Sequence, residues 1–123
     1  MQLVRRHCLV SKYSGVIRSA QQVEMYSIEG ISFIENTAFD YGGAISIANP
    51  VSLKISDVAF YFNEADSGGA VALTSTVWAT AEFQSCRFEY NKATRGGALY
   101  FSGEGQRFVR GSLFRYNIAG ETL

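Results

Sequence analysis

A short pattern, Phe-x-x-Asn-x-Ala, occurs four times in this chain and limits what it can fold into. The copies are Phe33, Asn36 and Ala38; Phe60, Asn63 and Ala65; Phe88, Asn91 and Ala93; and Phe114, Asn117 and Ala119. A second pattern follows the first three copies: Gly42-Gly43-Ala44-Ile45, Gly68-Gly69-Ala70-Val71 and Gly96-Gly97-Ala98-Leu99. Gly15-Val16-Ile17 is a weaker, earlier copy of the second pattern. The period is 26 to 28 residues. A fixed period of this length marks a solenoid, in which a repeat buries its apolar face only by stacking on its neighbours.

Between the anchors the residues alternate with period two. Ile45 and Ile47 flank Ser46, Leu53 and Ile55 flank Lys54, and Val58 and Phe60 flank Ala59. The same holds for Val71, Leu73, Ala81, Phe83, Leu99 and Phe101 in later repeats. Such alternation marks half-buried strands, about three to a coil, and no stretch has a clean helical period. The expected fold is all-β, a right-handed parallel β-helix of about three and a half coils across residues 15–123, preceded by an irregular segment, 1–14. Arg107 interrupts the pattern at the inward position matching Leu53 and Ala81. Either that coil loops out around Gly103 and Gly105, or the alignment there shifts by one residue.

The anchors suit stacking. The glycine pairs Gly42-Gly43, Gly68-Gly69 and Gly96-Gly97 permit positive φ and close approach of one coil's backbone to the next. Asparagine tolerates the left-handed region, so Asn36, Asn63, Asn91 and Asn117 are expected at bends, their amides bonding backbone groups and one another. Phe33, Phe60, Phe88 and Phe114 are expected to stack as an internal ladder.

A leucine-rich repeat is the rival solenoid. Ile28, Ile31, Phe33, Asn36 and Ala38 fit its spacing, as do Ile55, Val58, Phe60, Asn63 and Ala65. However, that repeat wants a large aliphatic after the Asn, and here Ala stands there each time. Its other half usually carries a helix, whereas here Gly-Gly-Ala opens an alternating strand.

Phe-x-x-Asn followed by Gly-Gly-Ala and an aliphatic residue resembles the repeats of the polymorphic outer-membrane proteins of chlamydiae, over residues 31–119. The resemblance implies a pectin-lyase-like β-helix and a cell-surface or extracellular parent protein with a role in adhesion, and the chain itself is expected to be non-catalytic because no catalytic constellation is read in it. A chain of this length is then expected to be a segment of a longer solenoid.

Composition narrows the partners. Eleven basic residues balance eleven acidic ones, which argues against a nucleic-acid surface, since that needs excess cations to neutralise phosphates. No apolar run is long enough for a membrane-spanning helix, and no secretory signal is read at the start. Cys8 and Cys86 occupy different repeat positions, so no disulfide framework is expected, and Cys86 reads as a small buried hydrophobe.

No catalytic set stands out, and neither a metal nor a cofactor is expected. His7 lies outside the repeats. Asp40 and Asp66 each stand two residues before a glycine pair and are expected to stack in adjacent coils, with Thr94 in the next. Two carboxylates about 5 Å apart at strand spacing are the candidate cation or acid pair. This motivates a second reading, a degenerate polysaccharide lyase or hydrolase whose active coils lie elsewhere. Tyr61, Trp78 and Tyr100, with Tyr90 and Tyr116, are the candidate surface contacts for a protein or glycan partner. End-to-end self-association through unpaired strand edges is the remaining expected contact.

Overall fold

The computed structural model describes residues 2–4, 9–10, 17–19, 26–48, 52–74 and 79–120. Among these residues there is no helix, and every strand pairing is parallel and links successive coils. The first sheet stacks Gln2–Val4, Tyr26–Glu29, Ser52–Ser56, Ala79–Gln84 and Gly105–Arg110. The second stacks Leu9–Val10, Ser32–Ile34, Ala59–Tyr61, Arg87–Glu89 and Leu113–Arg115. A third joins Glu64–Ser67, Lys92–Arg95 and Ile118–Ala119, and a fourth joins Ile17–Ser19, Ile45–Ala48, Val71–Thr74 and Leu99–Ser102. The chain is a parallel β-helix of the right-handed type, the hand that parallel crossovers overwhelmingly take. Strands on every side of the coil exclude the leucine-rich alternative.

The expectation of three strands per coil falls one short. The third sheet escapes the sequence pattern because its inward positions are small. Ala38, Ala65 and Ala93 are all buried there, yet alanine gives no apolar alternation against Glu64, Asp66 or Thr94. The reading of Arg107 is also corrected. Arg107 pairs with Ala81, and Ala81 with Leu53, so the coil is neither looped out nor shifted. The side chain occupies the inward column, is half-buried, and holds its guanidinium 5.8 Å from the Phe101 ring centroid.

The core is an apolar column. Ile28, Leu53, Ile55, Phe83 and Ala81 enter it from the first sheet, and Phe33, Phe60 and Phe88 from the second. The four ladder phenylalanines stack face to face: Phe33 on Phe60 at 5.1 Å, Phe60 on Phe88 at 4.8 Å and Phe88 on Phe114 at 4.6 Å, all within 7° of parallel. These separations approximate the strand spacing within a sheet, so register alone sets the ring stack.

Each coil turns through left-handed residues. Gly30, Asp57, Ser85 and Gly111 do so between the first and second sheets, with φ from 52° to 67°. Glu35, Phe62, Tyr90 and Tyr116 do so between the second and third, with φ from 55° to 59°. Gly42, Gly68 and Gly96 do so before the fourth. The left-handed residue at the second corner is therefore the one preceding each Asn, not the Asn itself. Within each glycine pair the roles divide. The first takes the positive φ. The second lets coils touch: a Cβ on Gly69 would lie 2.1 Å from the Gly97 carbonyl oxygen.

Candidate functional surface

The second corner carries the most regular chemistry. Inside it, Asn36, Asn63 and Asn91 are fully buried. Asn36 donates its backbone N–H and its Nδ2 to Asn63 Oδ1, both at 3.0 Å. Asn63 does the same to Asn91 Oδ1, and Asn91 to Asn117 Oδ1. The second Nδ2 hydrogen reaches back a coil, to the Phe33, Phe60 and Phe88 carbonyls from Asn63, Asn91 and Asn117. The amide thus satisfies the backbone groups that the bend orphans.

Outside the same corner, the left-handed residues project their side chains into solvent. Phe62, Tyr90 and Tyr116 are 54%, 46% and 61% exposed. Phe62 stacks on Tyr90 at 4.9 Å and 8°, and Tyr90 on Tyr116 at 4.9 Å and 17°. A bulky side chain at positive φ is unusual, and here it is repeated in three coils. Sequence reasoning placed Tyr90 and Tyr116 at the surface but missed Phe62, whose equivalence to them lies only in its place before Asn63.

Beside this column, on the outer face of the second sheet, Glu89 is buried at 6% exposure. Arg115, one coil on, covers it: Nε donates to Glu89 Oε1 at 2.8 Å, and Nη2 donates to the same oxygen. That carboxylate pushes the Arg115 guanidinium pKa further up. The guanidinium also lies 5.6 Å over the Tyr116 ring. Tyr61 stands in the same column, one coil before Glu89, and is half-buried.

The candidate carboxylates separate in role. Register places Asp40 and Asp66 in adjacent coils, since Tyr41 bridges to Ser67 and the Ser67 N–H donates to the Asp40 carbonyl at 2.8 Å. Both are exposed. Asp66 pairs with Arg95 at 3.5 Å, so it is held by a cation of its own fold. No group of three or more metal-ligating side chains occurs among the described residues. Tyr100 is half-buried, with Arg95 5.5 Å over its ring and Tyr41 6.1 Å away on another side. Those two tyrosines belong to coils separated by one, Tyr41 bridging to Ser67 and Tyr100 pairing with Ala72 of the coil between. Trp78 and His7 lie outside the described residues.

Cys86 faces inward and is 1% exposed. Its Sγ donates to the Gln84 and Ile55 carbonyls at 3.4 and 3.5 Å, and burial pushes the thiol pKa up. A shallow groove of about 330 Å³ runs along the first corner past Ser32, Asp57, Ser85 and Arg87.

Residues 30–48 and 85–102 match the family of the Chlamydia polymorphic membrane protein repeat. Those two segments are similar to polymorphic membrane protein repeats. The two matches cover one structural unit in two coils: left-handed corner, second-sheet strand, Asn, glycine pair and fourth-sheet strand. Residues 57–74 of the intervening coil repeat the same geometry. Polymorphic membrane proteins are a family of the outer membrane and cell surface. No helix among the described residues is long and apolar enough to cross a membrane. Comparison with curated proteins and with solved structures finds no match.

Proposed function

We propose that this chain is a non-catalytic structural and binding segment of a surface β-helix, presenting a pinned outer face to a protein or glycan partner in an adhesion role. The observation that carries the reading is the outer column of Phe62, Tyr90 and Tyr116. Three exposed aromatics sit on strained backbone, fixed in place by stacking. Rigid aromatic anchors of this kind lose little conformational entropy on binding, which is why they dominate binding energetics at interfaces. The family's surface location supplies the setting.

The test is binding of the purified chain to cell surfaces and to an array of glycans. Comparison with the Phe62→Ser, Tyr90→Ser, Tyr116→Ser triple variant, checked for fold by circular dichroism, decides it. Binding that is lost in the variant supports the reading. Binding unaffected by the variant, or absent altogether, overturns it. The degenerate polysaccharide lyase gains support from the in-register Asp40 and Asp66, and loses it from the ion pair that occupies Asp66. Calcium-dependent cleavage of polygalacturonate, abolished by Asp66→Ala, would establish that reading instead.

A further inference from the structure

We propose that Tyr90 and Tyr116 form a site of oxidative cross-linking, a dityrosine staple between two successive coils. The geometry points to it from three directions. First, the two residues share one backbone conformation, φ 59° and 58°. They are also in register, because the Tyr90 N–H donates to the Arg115 carbonyl at 3.1 Å and Glu89 pairs with Arg115. Their side chains therefore leave the coil in the same direction. Second, the rings stack at 4.9 Å and 17°, which holds the two phenols side by side, so that a rotation of the side chains out of the stack is all that coupling at the ortho carbons requires. Holding two reacting groups in contact in this way converts a bimolecular step into an effectively unimolecular one. Third, both rings are open to solvent at 46% and 61% exposure, so a diffusing oxidant can reach them.

The chemistry closes with hydrogen peroxide and a haem peroxidase as the one-electron oxidant. Each phenol gives up one electron and its hydroxyl proton. The two phenoxyl radicals join through the ring carbons ortho to oxygen, forming one C–C bond. Each coupled ring then returns its displaced ring proton to its own oxygen, restoring both phenols. The two electrons and two protons reduce one hydrogen peroxide to two waters. Arg115 serves as a positioning residue. Pinned to Glu89, it holds its guanidinium 5.6 Å over Tyr116 and keeps that ring in the stack. Among the described residues a further tyrosine contact, Tyr41 with Tyr100, is wider at 6.1 Å and tilted by 39°, and Arg95 occupies a face of Tyr100. It is expected to couple more slowly.

The experiment exposes dilute protein to horseradish peroxidase and limiting hydrogen peroxide, then digests it with trypsin. The sequence releases Tyr90 in Phe88–Lys92 and Tyr116 in Tyr116–Leu123. The expected product is these two peptides joined, lighter than their sum by two hydrogens, with dityrosine fluorescence in the monomer fraction. Tyr116→Phe retains the stack and the fold, and should abolish both the joined peptides and most of the monomer fluorescence. Arg115→Ala should lower the yield without removing it. Cross-links spread over other tyrosines, cross-links found only between molecules, an undiminished yield in Tyr116→Phe, or no dityrosine at all would each overturn the proposal.

Discussion

Asn63 places two donors on one oxygen: its backbone N–H and its Nδ2 both reach Asn91 Oδ1, at 3.0 and 2.9 Å. The Asn91 side chain therefore bonds the coil before it, through Asn63 and the Phe60 carbonyl, and the coil after it, through Asn117 Oδ1. Removing it should show up in the coil before as well as its own.

Asn91→Ala leaves the Asn63 N–H, one hydrogen of the Asn63 amide and the Phe60 carbonyl without their Asn91 partner in a buried interior. An unmade buried hydrogen bond costs about 1–3 kcal/mol, so a loss of roughly 3 kcal/mol is expected by urea unfolding. Asn117→Ala, at a half-buried position, should lose less than half as much. Equal losses at the two sites would contradict a ladder whose strength comes from burial.

The phenylalanine ladder predicts a gradient. Phe60 is fully buried between Phe33 and Phe88, while Phe114 is 45% exposed and stacks on Phe88 alone. Phe60→Ala should cost about 3–5 kcal/mol. Phe114→Ala should cost well under that, because water already reaches the ring. Thermal or urea midpoints of the two variants decide it.

Two glycines separate steric contact from backbone conformation. At Gly69 an added Cβ meets the Gly97 carbonyl oxygen at 2.1 Å, with no side chain able to give way. At Gly30, φ is 67° but an added Cβ meets nothing within 4 Å. Gly30→Ala should cost about 1–2 kcal/mol, the left-handed term alone. Gly69→Ala should exceed about 3 kcal/mol, or leave insoluble protein.

Burial raises the Cys86 thiol pKa above its ordinary value of 9.0. The unfolded chain therefore loses its thiol proton first as pH climbs. Below about pH 9 both states keep the proton and the group is silent. Above it, ionisation favours the unfolded chain and stability falls until the folded pKa is passed. Stability measured from pH 7 to 10 should drop more steeply for the natural chain than for Cys86→Ala. The thiol should also resist alkylation until the chain unfolds.

The solenoid was legible because its core side chains are large and recur: Phe33 predicts Phe60, Phe88 and Phe114 by spacing alone. The third sheet was not, because Ala38, Ala65 and Ala93 bury well but leave no hydrophobic signal. Phe39 shows the reverse error that pattern reading invites. It is apolar yet 95% exposed, being the one extra residue between Ala38 and Asp40 relative to the next coil. The surface was least legible. That Arg115 buries Glu89, and that Tyr41 reaches Tyr100 across a whole coil, depend on neighbours 26 and 59 residues away. No local pattern encodes such pairs.

The asparagine ladder also gives the rod a direction. The Oδ1 atoms of Asn63, Asn91 and Asn117 each accept from the coil before, and among the described residues no asparagine-to-asparagine bond runs the other way. Counted over the asparagine rungs alone, the two faces of such a stack are therefore unlike: the leading face presents an Oδ1 acceptor, the trailing face N–H and Nδ2 donors. Two copies meeting end to end could extend the ladder only head to tail, since a two-fold axis would set donor against donor. An assembly joined in that way does not close on itself but grows as an open filament.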